Sequence, residues 1–136
     1  MAFSAKGSRE KTILVVEDDT SIREVLVVVI SQETPYHALI VPDGFQALNV
    51  IKDITPNLFL LDYQLPRMNG IQLYDRLHTT QGFEHIPAIM MSASLPQQEI
   101  RQRQIVGISK PFGLDDLLST IDKVLAWPAI YNTVNQ

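Results

Sequence analysis

Three acidic residues in a row, Glu17, Asp18 and Asp19, follow the apolar run Ile13–Val16, and a further carboxylate, Asp62, follows Leu58–Leu61. Ser92 follows Ile89–Met91, and Lys110 stands directly before Pro111. If the apolar runs are neighbouring strands, about three negative charges meet at one rim, which costs several kcal/mol unless positive charge intervenes. Lys110 offsets one charge, and a divalent cation would offset more. Hard oxygen donors without His or Cys favour Mg2+ or Mn2+, and Mg2+ commonly takes one or two carboxylates while keeping water or phosphate oxygens. Such a cluster suits phosphoryl transfer, in which a carboxylate attacks phosphorus to give an aspartyl phosphate. Cations neutralise the phosphoryl oxygens there and a hydroxyl donates a hydrogen bond. Asp62 is the candidate nucleophile and Ser92 the candidate hydroxyl.

These groups meet only if the chain folds so that the runs lie side by side. Thr12–Val16, Ala38–Val41, Asn57–Leu61, Ala88–Met91 and Ile105–Ser109 are short and mostly continuous in apolar character, as strands buried on both faces are. Amphipathic stretches separate them. Ile22, Val25, Leu26, Val29 and Ile30 have helical spacing and predict an inward stripe, with Asp19, Thr20 or Ser21 as cap. Helices are also expected at Gly44–Lys52, with Ala47, Leu48 and Ile51 inward, and at Ile71–His78 after Asn69-Gly70. A last helix carries Leu114, Leu117, Leu118, Ile121, Val124 and Leu125 and is expected to stop at Pro128. Strands alternating with helices imply a parallel sheet covered on both faces, and ligands then belong at the carboxyl ends of the strands. All the candidate residues sit at such ends.

At 136 residues the chain has the length of one domain. The reading divides it into an N-terminal arm at 1–10, a domain at 11–127 and a tail at 128–136. Its net charge of −4 argues against a sequence-independent grip on nucleic acid, so no direct DNA binding is expected. The absence of cysteine excludes disulfides, zinc thiolates and thiol nucleophiles. The longest apolar run, Val25–Ile30, is far short of the ~20 residues of a membrane span, so no membrane partner is expected.

Val15-Val16-Glu17-Asp18-Asp19, Leu60-Leu61-Asp62 through Asn69-Gly70, Met91-Ser92-Ala93 and Lys110-Pro111-Phe112 together resemble the receiver domain of two-component response regulators. Four motifs in this order at successive strand ends form a specific pattern, covering roughly Thr12 to Trp127. The resemblance implies a flavodoxin-like, doubly wound α/β fold with five parallel strands in the order 2-1-3-4-5 and helices on both faces. It implies that Asp62 accepts a phosphoryl group from a histidine kinase or phosphotransfer protein, with Mg2+ (Mn2+ possible) as cofactor. Glu17 and Asp18 match the acidic pair that holds the metal with Asp62, and the backbone carbonyl of Gln64 matches a further ligand. Ser92, Ala93 and Lys110 match the groups around the phosphoryl oxygens, and the Lys110–Pro111 peptide is expected to be cis. Family likeness also implies a cytoplasmic signalling protein whose only catalysis is its own phosphorylation and dephosphorylation.

The sequence departs from the family in one region. Seventeen residues separate Ser92 from Lys110, a few fewer than usual, and Pro96–Gln104 has Ile100 as its one apolar residue, so the fourth helix should be short or irregular. Gly107 stands where receivers typically carry an aromatic residue, so the usual coupling of hydroxyl to aromatic ring cannot operate as such. Output is therefore expected through protein contacts with a downstream partner that the sequence does not identify. Val27 and Val28, off the inward stripe of the first helix, lie where receivers commonly dock their phosphodonor.

Each residue has a plainer reading. Acidic runs at a helix start are favoured by the helix dipole, Asp62 could cap a loop, and Ser92 or Lys110 could be solvated strand-end groups. Their joint occurrence at one rim is what such readings leave unexplained. His37, His78 and His85 have no metal-ligand spacing and read as surface or turn residues, and Arg101 and Arg103 as a solvated face. Trp127 reads as a packing cap. The favoured function is a stand-alone phosphoacceptor, because few residues follow the last helix. The alternative is a pseudo-receiver docking module that is never phosphorylated. An aspartate-nucleophile phosphatase would need a second acid where Gln64 stands, and a flavodoxin would need a phosphate loop in place of three acids.

Overall fold

The computed structural model describes residues 11–134, with side chains through residue 126. The N-terminal arm, the Trp127 side chain and the end of the tail lie outside the described residues. Five strands, β1 (Thr12–Val16), β2 (His37–Val41), β3 (Leu58–Asp62), β4 (Ala88–Ser92) and β5 (Val106–Ser109), form one sheet in the order β2-β1-β3-β4-β5. All four pairings are parallel. The helices are α1 (Thr20–Glu33), α2 (Gly44–Val50), α3 (Gly70–His78), α4 (Gln97–Gln102) and α5 (Leu114–Val134). Each expected strand is present within one residue of its expected bounds, and the sheet order is the one the resemblance implied.

Alternation along each strand divides the core into two layers. Leu14, Val16, Phe59, Leu61 and Met90 point to one side, against Ala47 of α2, Leu73 and Leu77 of α3 and Ile100 of α4. Ile13, Val15, Leu58, Leu60, Ile89 and Met91 point to the other, against Leu26 and Ile30 of α1 and Leu117, Ile121 and Val124 of α5. The central strands β1, β3 and β4 are therefore buried on both faces, as their continuous apolar runs require.

The edge strands correct the expectation that all five would be buried so. Gly107 and Ser109 of β5 are exposed, and His37 of β2 is exposed, because an edge strand is flanked on one side only. In α1 the inward stripe is narrower than its spacing suggested: Leu26 and Ile30 are buried, whereas Val25 is 47% exposed. A β-branched run places valines around the whole helix, so spacing alone does not choose which of them faces the sheet. Val27 and Val28 are exposed, as expected. The last helix does not end at Pro128 but continues to Val134. A proline inside a helix loses one backbone donor and crowds the carbonyl four residues earlier, which disfavours the helix there without forbidding it. Leu114, expected on the inward stripe, is exposed at the start of that helix.

The fourth helix is short, six residues, as its composition predicted. Leu95 and Ile100 fill the space beside Gly107: a Cβ on that glycine would meet the Cδ1 atom of each at 2.9 Å. Two aliphatic side chains thus pack against one side of Gly107, at the position where the resemblance would place an aromatic ring.

Two residues read from sequence as solvated are tied into the α3–α4 junction. Arg103 forms a two-pronged ion pair with Asp75, Nε to Oδ1 at 2.7 Å and Nη2 to Oδ2 at 3.0 Å. His78 is half-buried, its ring centroid 4.0 Å from that of Tyr74 and its Nε2 2.8 Å from the Ile86 carbonyl oxygen. Tyr74 donates to the Arg103 carbonyl at 3.2 Å. Burial, helped by the charge of Asp75 and opposed by Arg103, pushes the Tyr74 phenol up to about 12. A phenol whose pKa is raised in the folded state stabilises the fold fully below pH 10, and this contribution is lost as pH rises through about 12. Absorbance at 295 nm should therefore show a tyrosine ionising near pH 12 that disappears in Tyr74→Phe. The stability difference between the two proteins should change between pH 10 and 12.

Candidate functional site

Register brings the acids together before any side chain is considered. Val16 of β1 pairs with Leu61 of β3, so Glu17 and Asp62 are the next residues on adjacent strands. The chain then leaves β1 under tight control: the Glu17 amide donates to the Val41 carbonyl at 3.1 Å, and the Asp19 side chain caps α1 through the Ile22 amide at 3.0 Å. Beyond Asp62, the Tyr63 amide donates to the Met91 carbonyl, and the Gly70 amide returns to the Tyr63 carbonyl, each at 2.8 Å. This return draws the start of α3 against the end of β3. Asn69 and Gln72 close that helix start with a reciprocal capping box.

Glu17 and Asp62 are almost completely buried, 1% and 4% exposed, and they share one cation. Lys110 Nζ lies 2.9 Å from Glu17 Oε1 and 3.3 Å from Asp62 Oδ2. The second oxygen of each acid accepts a backbone hydrogen bond: Glu17 Oε2 from the Asp19 amide and Asp62 Oδ1 from the Gln64 amide, both at 3.2 Å. Burial holds Glu17 above the ordinary carboxylate range, against the lowering pull of the Lys110 hydrogen bond and with the Asp62 charge adding to the rise. Burial works to lower the Lys110 ammonium, but the bond to Glu17 and the charge of Asp62 outweigh it and the net shift is upward.

Asp18 completes the group. Carboxylate oxygens of Glu17, Asp18 and Asp62 lie within 4.8 Å of one another, with Asp18 exposed and the other two buried. A set of hard, anionic oxygens with one member open to solvent fits Mg2+ or Mn2+, ions that take carboxylates and keep part of their water. One lysine cannot neutralise three carboxylates, so the charge balance favours the same conclusion.

Ser92 is buried at the end of β4 and engages its own loop: its hydroxyl donates to the Ser94 carbonyl and accepts from the Ser94 amide, both at 3.0 Å. The Lys110 amide donates to the Ser92 carbonyl at 2.9 Å, which ties the ends of β4 and β5 together. Ala93 is exposed beside the rim, and the Lys110–Pro111 peptide is cis as expected.

Two arginines at the rim went unassigned by sequence reasoning. Arg23 Nη1 donates to the main-chain carbonyls of Glu17 at 3.1 Å and Asp18 at 2.9 Å, and its Nη2 donates to Thr20 Oγ1 at 3.2 Å. The available signal was position, since a residue in the first turn of α1 can reach back over the acidic loop. Arg67 has a left-handed backbone, φ 66°, and is held 4.8 Å over the Phe45 ring and 3.5 Å from Asp43. Beside the rim, a groove of about 490 Å3 runs between α1 and the β5–α5 loop, lined by Ile22, Val25, Leu26, Phe112 and Leu114 with Lys110 at its edge.

Comparison with known proteins agrees with this geometry. The family model for the response regulator receiver domain matches residues 13–122. The chain is 37% identical over 119 residues to the phosphate regulon transcriptional regulatory protein PhoB of Pseudomonas aeruginosa, covering 85% of this chain and 52% of that protein. It thus spans about half the length of PhoB. It is 32% identical over 117 residues to sporulation initiation phosphotransferase F of Bacillus subtilis, covering 83% of this chain and 92% of that protein. Among solved structures, a CheY-like response regulator receiver domain protein from Methanospirillum hungatei superposes with a TM-score of 0.77 at 28% identity, covering 85% of this chain and 94% of that one.

Proposed function

We propose that this chain, which belongs to the response regulator receiver domain family, accepts a phosphoryl group on Asp62 from the phosphohistidine of a histidine kinase or phosphotransfer protein. The observation that carries this reading is the buried Asp62 carboxylate 3.3 Å from the Lys110 ammonium and grouped with Glu17 and Asp18. An Asp62 carboxylate oxygen forms the new bond to phosphorus while the bond from phosphorus to the donor imidazole nitrogen breaks. The electron pair of that bond leaves with the imidazole. Lys110 moves its attraction from the two carboxylates to a phosphoryl oxygen, and Ser92 exchanges its bond to the Ser94 carbonyl for one to another phosphoryl oxygen. Ala93 offers little bulk beside that hydroxyl. Glu17, Asp18, Asp62 and the backbone carbonyl of Gln64 would hold Mg2+, which when bound supplies positive charge to the phosphoryl oxygens.

The donor would dock on the exposed valines of α1 and the adjoining groove, which lead to Lys110 and the acids. Signalling would follow through contacts with a downstream protein in the cytoplasm. Intact mass after incubation with acetyl phosphate tests the chemistry. The expected gain is one phosphoryl group, dependent on Mg2+ and absent in Asp62→Asn. No gain with or without Mg2+ would leave a docking module of the same fold.

A further inference from the structure

We infer that Arg23 is a positioning residue for the acidic pair: it fixes the backbone that aims Glu17 and Asp18, and thereby sets the affinity of the rim for a divalent cation. The inference rests on the phosphoacceptor reading. It starts from an asymmetry between the three acids. Glu17 and Asp62 are each held by Lys110 and by a backbone amide. The Asp18 carboxylate is exposed and has no hydrogen bond among the described residues. What holds Asp18 is its main chain, and the side chain that grips it is Arg23.

One guanidinium nitrogen accepts no substitute easily at this place, because it donates to two successive carbonyls, Glu17 and Asp18, at 3.1 and 2.9 Å. Two bonds to consecutive carbonyls restrict the Asp18 backbone dihedrals that lie between them, and these set the direction of the Asp18 side chain. The second terminal nitrogen anchors to Thr20 Oγ1 at 3.2 Å, within the first turn of the helix that Asp19 caps. The planar fork of arginine serves all three acceptors from one rigid group, whereas the lysine ammonium has a single nitrogen on a flexible stem. Partners that orient metal ligands from outside typically affect affinity by about 10- to 100-fold when removed.

A competing role makes the opposite prediction. Arg23 is also a positive charge near an anionic cluster, and if it acted chiefly as a counter-charge its removal would strengthen cation binding. Calorimetric titration of the full chain with MgCl2 separates the two, comparing wild type, Arg23→Lys and Arg23→Ala. Positioning predicts that both variants bind Mg2+ about tenfold or more weakly, including the lysine variant, which keeps the charge. The Mg2+ concentration that half-saturates phosphorylation by acetyl phosphate should rise accordingly, and by a larger factor than the rate at saturating Mg2+ falls. Circular dichroism without Mg2+ checks that each variant is folded, and Arg23→Lys carries the test if Arg23→Ala is not. Unchanged or tighter binding in Arg23→Lys and Arg23→Ala, beside a wild type that binds, overturns the role given to Arg23 alone. A wild type that takes up no Mg2+ overturns the metal-dependent phosphoacceptor reading, and this inference with it.

Discussion

Gly70→Ala should destabilise the protein by about 3 kcal/mol or more, at the upper end of what overpacking costs, and should displace Asp62. A Cβ at this position would lie 2.6 Å from the Asp62 carbonyl oxygen, 2.6 Å from the Met90 sulfur and 2.9 Å from the Tyr63 Cα. The sulfur belongs to a flexible side chain and can move, but the other two atoms are backbone, of the candidate nucleophile itself and of the residue that follows it. Relief would require the start of α3 to retreat, which lengthens the 2.8 Å bond from the Gly70 amide to the Tyr63 carbonyl. Gly82→Ala is the contrasting control. Its φ of +91° disfavours any side chain, yet nothing lies within 4 Å of the added atom, so the cost is conformational and nearer 1 kcal/mol. Thermal unfolding should separate the two, with the Gly70 variant melting roughly 10 °C below wild type. Equal midpoints for the two variants would mean that α3 does not constrain the end of β3.

How much of this was visible in the sequence depends on whether a property was periodic or relational. The central strands were legible because burial on both faces leaves an unbroken apolar run, and β1, β3 and β4 show it. Periodicity failed in α1, where valines surround the helix and only packing selects Leu26 and Ile30 for the sheet. It also failed at Pro128, because a proline disfavours but does not forbid helix, and here the helix continues to Val134. The short α4 was legible from its polar composition. The pairing of Leu95 and Ile100 over Gly107 was not, since it depends on the space left by a missing side chain.

The site divides in the same way. Glu17, Asp18, Asp62, Ser92 and Lys110 could be read because each ends an apolar run or stands beside a proline, and parallel pairing puts such ends on one rim. Arg23 and Arg67 could not be read, because two of the three acceptors of Arg23 are backbone carbonyls and the partners of Arg67 sit at the start of α2, distant in sequence. Arg103 and His78 were misread for a related reason. Arg103, just past a short polar helix, looks solvated until α3 brings Asp75 against it, and His78 looks solvated until the chain after α3 brings the Ile86 carbonyl against a ring already packed on Tyr74 one turn earlier.

Lys110→Met should lower stability by about 3 kcal/mol and slow phosphorylation by acetyl phosphate about 100-fold or more, and a second substitution should separate the two effects. The lysine side chain is only 20% exposed and contacts two carboxylates that are nearly sealed from water. Removing it leaves both acids buried without their cation, a costlier state than one in which pair and partner are removed together. Glu17→Gln in the Lys110→Met background takes away one of the two stranded charges, so the double variant should regain part of the lost stability. It should regain none of the phosphorylation rate, because under the proposed function the group that would neutralise a phosphoryl oxygen is still absent and a carboxylate that would hold the metal has gone with it. Urea unfolding and the acetyl phosphate assay on the same three proteins decide the matter. If stability and rate recover together, Lys110 serves only to offset buried charge, and the phosphoryl oxygens find their positive partner elsewhere.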